Sequence, residues 1–289
     1  MIKEIEKNKI SSSTLYLVAT PIGNLADMSE RAIKTLSEVD FIAAEDTRNS
    51  LRLLNYFGIS KPLVSYYEHN KRERGEEIVA RLLGGESCAL ITDAGTPAIS
   101  DPGEDLVRLC AQSGITVTAI PGACAMVNAL ALSALPTARF VFEGFLPVQK
   151  KPRKERIKEL SCEQRTFILH EAPHKLKGTL AELAEALGGE RKITLCRELT
   201  KLNEEIIRTT LSGACALYEE REPRGEYVLV IEGGTAIQEE ESKEVTTDEL
   251  RQAVDKKMLL GMKKNEAIRA VAEMYGLTRN EVYSRLIEK

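Results

Sequence analysis

Short apolar runs alternate with helix-like patterns along the first half of the chain. LYLVA (Leu15–Ala19), DFIAA (Asp40–Ala44), PLVSY (Pro62–Tyr66), CALIT (Cys88–Thr92) and TVTAI (Thr116–Ile120) have the length and β-branched content of buried strands. The segments SERAIKTLSEV, RNSLRLLNYFG, RERGEEIVARLLGG and EDLVRLCAQSG between them space their apolar residues three to four apart, as one face of a helix does. Such alternation predicts a mostly parallel sheet covered by helices. A second unit begins near Phe140, where FVFEGFL, RTFILHE, KITLCREL, EEIIRTT and EYVLVIEG read as strands and HKLKGTLAELAEALG and LSGACALYEERE as helices. This second sheet is expected to be mixed. A polar, acidic run follows from Ala236 to Thr247, and then come three short helical patterns, the last two joined by a turn like a helix-turn-helix pair. The pattern divides the chain into a flexible N-terminal extension (1–13), an α/β domain (14–138), a second α/β domain (139–234), a linker (235–246) and a small helical domain (247–289).

Composition changes this picture little. With 289 residues, 43% hydrophobic and 29% charged, the chain has the make-up of an ordinary globular protein of two domains plus an appendage. A net charge of -4 gives no global attraction to nucleic acid, although a basic face remains compatible with it. The six cysteines are scattered without a CxxC pair, which suits reduced thiols better than zinc or disulfides. No HExxH or similar spacing calls for a metal, so none is expected. Met1–Ser13 lacks the apolar core of a secretory signal, and no run reaches the roughly 20 apolar residues of a membrane span. A cytoplasmic protein without membrane contact is the expectation.

Candidate chemistry gathers where strands end. In an open parallel sheet, ligands bind beyond the carboxyl ends of the strands. TPIGN (Thr20–Asn24), DAGTPAISDPG (Asp93–Gly103) and PGACA (Pro121–Ala125) occupy such positions. Their glycines permit close backbone approach, and their prolines reduce the freedom of the empty loop. None contains Lys or Arg, and neither a P-loop nor GxGxxG is present. A rigid slot of this kind suits a flat, uncharged group such as adenine with its ribose. Taken singly, each loop is equally well a tight connection.

AAEDTRNSLRLL ends the second strand with Glu45, Asp46, Thr47 and Arg48. A helix N-terminus explains the acids, with Asp46 or Thr47 as cap; Arg48 opposes the helix dipole there and reads as substrate-facing. SYYEHNKRERG puts His69 at the same sheet edge, where an exposed loop residue is the plainer reading. QKKPRKERIK (Gln149–Lys158) is either a solvated helix face or a phosphate-contacting patch through Lys150, Lys151, Arg153 and Lys154. The tail adds Lys263, Lys264, Arg269, Arg279 and Arg285, diluted by Glu266, Glu273 and Glu281.

VATPIGNLADMSERA, AEDTRNSLRLL, ITDAGTPAISDPG, IPGACA, FEGFLP and GEYVLVIEG, in that order, resemble the ribosomal RNA small subunit methyltransferase I family of the tetrapyrrole methylase-like superfamily. The resemblance covers about residues 14–234, and the C-terminal helices are similar to the family's tail. It implies a two-domain tetrapyrrole methylase-like α/β fold, S-adenosylmethionine in the cleft, a homodimer, and methylation of a cytidine ribose 2′-hydroxyl in 16S rRNA of the small subunit. It further implies donor contacts from Pro21, Ala94, Gly95, Thr96, Ile99, Cys124, Ala125, Glu171 and Leu199. Glu45, Asp46 and His69 are then candidates to activate or orient the hydroxyl, and Arg48 to hold a phosphate or the ribose. AGTP stands where tetrapyrrole methylases often carry a GGDP-like stretch, which favours the rRNA branch over a porphyrin substrate. Two other readings predict different things. A small-molecule methylase needs neither basic segment nor tail, and a nucleotide-sensing DNA-binding regulator needs a basic recognition helix, which TRNEVYSRLIEK is not.

Overall fold

The computed structural model describes residues 9–234, 247–259, 261–275 and 277–287. The chain forms two compact units, residues 1–234 and 235–289. The expected linker, residues 235–246, and most of the expected N-terminal extension lie outside the described residues.

The first sheet is wholly parallel. It contains β1 (Thr14–Val18), β2 (Phe41–Ala44), β3 (Leu63–Ser65), β4 (Cys88–Ile91) and β5 (Thr116–Ile120), in the order β3-β2-β4-β1-β5. Both faces of its middle strands are buried, which is why their sequences run apolar without alternation. One face packs α1 (Glu30–Glu38) and α2 (Thr47–Tyr56) through Ala32, Leu36 and Leu54. The other packs α3 (Lys71–Leu83) and α4 (Gly103–Gln112) through Ile78, Leu82, Leu106 and Cys110. Adjacent strands β1 and β4 therefore send their following helices to opposite faces. Their outgoing loops diverge and leave a crevice between them, the switch point at which open α/β sheets bind ligands.

The second sheet is mixed. It holds β6 (Phe140–Gly144), β7 (Thr166–Glu171), β8 (Lys192–Arg197), β9 (Glu205–Thr210) and β10 (Tyr227–Ile231), in the order β6-β7-β10-β8-β9; only the β6–β7 pair is parallel. One face is covered by α6 (Lys150–Ser161), α7 (Pro173–Leu187) and α8 (Leu211–Glu220), whose Leu160, Leu176, Leu180, Leu183 and Leu211 meet Phe167, Leu195 and Leu229. The opposite face, built by Ile168, Cys196, Val228 and Val230, receives Ala129 and Leu130 of α5 (Ala125–Leu132) and, at its edge, Ile22 from the loop after β1. Thus α5, which the sequence pattern groups with the first sheet, buries its apolar face on the second.

In the second unit, α9 (Thr247–Leu259), α10 (Lys264–Met274) and α11 (Arg279–Ile287) enclose Leu250, Val254, Ile268, Val271 and Val282. A reciprocal cap starts α11: Glu281 N–H donates to Thr278 Oγ1 at 3.3 Å, and Glu281 Oε2 accepts from Thr278 N–H at 2.6 Å. Among the described residues, no helix is long and apolar enough to cross a membrane.

Candidate active site

The three small-residue loops meet at the switch point. Thr20 and Gly95 form an antiparallel bridge that joins the loop after β1 to the loop after β4. Thr20 Oγ1 also donates to the Thr92 carbonyl at 3.1 Å, and Thr96 Oγ1 donates to the Ala123 carbonyl at 3.1 Å, which ties in the loop before α5. The β4 loop is held in an unusual path. Ala98 and Ser100 have φ of 68° and 61°, in the left-handed region that non-glycine residues seldom occupy. Asp101 Oδ1 fixes the turn by accepting from Ala98 N–H at 3.0 Å and Gly103 N–H at 2.7 Å.

Between these loops and the second sheet lies a cavity of about 470 Å³, within the size range of cofactor sites. Ala94, Ala125, Glu171 and Leu199, all expected donor contacts, line it. Pro21 instead lines an adjoining cavity of about 190 Å³ with Asn49, Thr92 and Asp93. Gly95 is buried and Thr96 half-buried, and both frame the loops rather than the cavity wall. Cys124 is the residue before α5, and Ile99, 46% exposed, sits between the two left-handed residues; neither lines either cavity.

Glu171 is buried at the end of β7. Its carboxylate accepts from Ala172 N–H at 2.9 Å and from Thr179 Oγ1 of α7 at 2.5 Å, which fixes it at the cavity wall. Leu199 is pinned by left-handed neighbours, Glu198 with φ 51° and Thr200 with φ 65°. Strain of this kind clusters where the surrounding structure fixes a binding surface.

The loops alone suggest a nearly uncharged slot, but the cavity is not uncharged. Its lining contains Glu171 and Glu226 and no Lys or Arg, although Lys201 Nζ donates to Glu226 Oε2 at 2.8 Å from outside the wall. His170 also lines it, with Nε2 buried and without a hydrogen-bond partner. Burial holds the His170 pKa below the usual histidine value, so the ring is neutral, while Glu226 pulls weakly the other way. One buried acid, Glu171, with no cation on it and one orphan polar nitrogen fit an adenosyl group carrying a sulfonium charge.

Sequence reasoning passed over Ile22, Phe145, His170, Cys196 and Val228 as wall residues. The signal is a shared rung: Val228 pairs with His170 on β7 and with Cys196 on β8, so all three point to one face. Period-two patterning places each on a strand face, but the pairing order is not written in any one strand.

The polar candidates lie apart from the larger cavity. Glu45 accepts from Thr92 Oγ1 at 2.8 Å. Asp46 is the N-cap of α2: Oδ1 accepts from Arg48 N–H at 2.8 Å and Oδ2 from the Arg48 guanidinium at 2.8 Å. The Arg48 hydrogen bonds lower the Asp46 pKa to about 2. Arg48 itself has a side chain 87% exposed, and Asn49 donates to Asp93 Oδ2 at 3.2 Å. His69 is exposed and meets the Tyr67 ring edge-to-face, centroids 6.1 Å apart. In α6, Lys150, Lys151 and Lys154 are exposed. Arg153 turns inward, donating to Glu182 Oε2 at 2.6 Å and to Thr179 Oγ1 at 2.7 Å.

Fold and cavity together define a class. Residues 14–215 match the family of tetrapyrrole (corrin/porphyrin) methylases. The structure is similar to that of uroporphyrin-III C-methyltransferase from Thermus thermophilus complexed with S-adenosylhomocysteine, with a TM-score of 0.52 and 16% identity over 76% of this chain and 97% of that one; this is a likeness of fold. In sequence the chain is 47% identical over 274 residues to ribosomal RNA small subunit methyltransferase I of Synechocystis sp., covering 95% of this chain and 97% of the relative. It is likewise 47% identical to the protein of that name from Halalkalibacterium halodurans, covering 94% and 93%. The chain belongs to the ribosomal RNA small subunit methyltransferase I family.

Proposed function

We propose that the protein methylates the ribose 2′-hydroxyl of a cytidine in 16S rRNA of the small ribosomal subunit, using S-adenosylmethionine. The observation that carries this reading is the cation-free cavity at the switch point, lined by Ala94, Ala125, Glu171 and Leu199, in a chain of this family. Bound there, held by the cavity walls, S-adenosylmethionine would supply a methyl group carried on a positively charged sulfur.

The residues divide the work. Ala94, Ala125 and Leu199 give the adenosine moiety apolar walls, and Gly95 and Thr96 keep the loops at a fixed separation. Pro21, Ile99 and Cys124 complete the loop edges around the donor. Glu171, buried in the wall, opposes the donor's positive charge. Alignment of hydroxyl and methyl in this rigid frame accounts for much of the rate, since well-oriented reactants lower a barrier by roughly 7–11 kcal/mol. Glu45, Asp46 and His69 are the proposed groups for holding or removing the 2′-hydroxyl proton. Asp46, locked by Arg48, is held as a weak base. The exposed Arg48 guanidinium and Lys150, Lys151 and Lys154 meet phosphates, with Arg153 bracing α6 against α7.

The same reading has the protein acting in the cytoplasm as a homodimer. Val127, Leu132 and Phe140, exposed along α5 and the start of β6, give a second copy an apolar surface to cover.

The test is to incubate the protein with methyl-labelled donor and, separately, unmethylated 30S subunits, bare 16S rRNA and a small-molecule extract. Label on a ribose of 16S rRNA is the expected result. Label confined to the small-molecule fraction would move the protein to the porphyrin branch of its class.

A further inference from the structure

We propose that the ring of Phe145 stacks an unpaired base of the RNA at the mouth of the cavity and so helps present the acceptor nucleotide to the donor. The inference rests on the rRNA reading above.

Phe145 is placed there by a defect in β6. The register with β7 shifts between Phe142 and Gly144, a bulge that re-aims the residues after it. Gly144 has φ 71°, and a Cβ there would stand 3.2 Å from Ser100 Oγ, so the bulge also seats β6 against the β4 loop. As a result Phe142 and Phe145 both meet the His170 ring edge-on, at 5.2 and 5.5 Å between centroids. Their fates differ. Phe142 packs into the core beneath the cavity, whereas Phe145 lines the cavity and is still 62% exposed.

Beyond the His170 contact, most of the Phe145 surface is left open to water at a ligand site and is free to take a partner. The neighbouring sequence says what kind of partner fits. Pro147 follows, and then α6 begins, with Lys150, Lys151 and Lys154 exposed. Cations for the backbone beside an aromatic face for a base are the two elements of single-stranded nucleic acid sites. Other exposed aromatics, Tyr56, Tyr67 and Phe140, do not line the cavity.

The chain contains no tryptophan, so Phe145→Trp installs a single indole at the mouth. Its emission is titrated with unmethylated 30S subunits and, separately, with S-adenosylmethionine alone. Stacking predicts strong quenching by 30S and little response to the donor. In turnover assays, Phe145→Ala and Phe145→Leu raise KM for 30S by about tenfold, with a much smaller effect on donor affinity, and Phe145→Trp restores the RNA KM. Quenching by the donor alone, or donor affinity falling as much as RNA affinity, would make Phe145 a wall for adenine and overturn the proposal. Wild-type behaviour of Phe145→Leu would overturn it too. If wild-type protein transfers label to 16S rRNA while the indole ignores 30S, only the stacking role falls. If wild type transfers nothing to rRNA, both fall.

Discussion

Thr20 and Gly95 exchange two backbone hydrogen bonds, Thr20 N–H to Gly95 O at 2.9 Å and Gly95 N–H to Thr20 O at 3.0 Å. This pair clamps together the two loops that diverge at the switch point. Gly95 adopts φ 83° to do so, and a Cβ there would come within 3.3 Å of Ile22 Cγ2, which lines the larger cavity. Gly95→Ala is therefore expected to cost about 1–2 kcal/mol of stability from the left-handed backbone alone. It should also weaken donor binding by about tenfold as Ile22 shifts into the cavity. Thermal unfolding and calorimetry check both; unchanged Tm and donor affinity would show the clamp to be dispensable.

Acid should loosen both the fold and the donor. His170 is neutral because burial lowers its pKa, so below the usual 6.5 the unfolded chain takes up a proton that the folded chain resists. By linkage, stability then falls as pH drops through that range and is fully kept above it. The ring faces Phe142 and Phe145 of the β6 segment and shares the cavity with Glu171, Cys196 and Glu226; of these, Glu226 moderates the effect. A protonated ring would also repel the sulfonium. Donor titrations from neutral to mildly acidic pH should show weakening affinity in wild type and a flatter profile in His170→Phe. Identical profiles would remove His170 from the donor site.

Three groups are candidates to handle the hydroxyl proton, and single-turnover methylation of 30S subunits separates them. The true base, removed in Glu45→Gln, Asp46→Asn or His69→Ala, should lower the rate by about 10²-fold or more with donor affinity intact. Asp46→Asn is expected to act by freeing Arg48, so Arg48→Ala should match it. Wild-type rates in all three would mean that solvent takes the proton.

Charge reversal of Lys150, Lys151 and Lys154 together should weaken 30S binding and flatten its salt dependence by roughly 0.7–0.9 in log–log slope per lost phosphate contact. Donor affinity should stay constant, because none of the three lines the cavity. Filter binding at two salt concentrations is sufficient; an unchanged slope would leave α6 as a solvated helix face.

Ten strands were legible because each is short, apolar and bounded by turn residues, and TVTAI coincides with β5 residue for residue. The loops after β1 and β4 were legible for the same reason. Less visible was where α5 packs: AMVNALAL is apolar nearly all round, so its pattern does not choose between the two sheets. His170 and Phe145 were hidden by pairing order and by a bulge, neither of which leaves a local periodicity. Arg153 reads as one more cation in a basic run, yet its partners Glu182 and Thr179 lie more than two dozen positions away.

The central claim is that the cavity between the small-residue loops and the second sheet holds the methyl donor. Calorimetric titration of the full chain with S-adenosylmethionine tests it most directly, alongside Ala125→Phe, which fills the cavity from the first turn of α5. One donor should bind per chain in wild type, and binding should be lost in the variant while its unfolding transition persists. No heat with wild type, or full binding by the filled variant, would contradict the account.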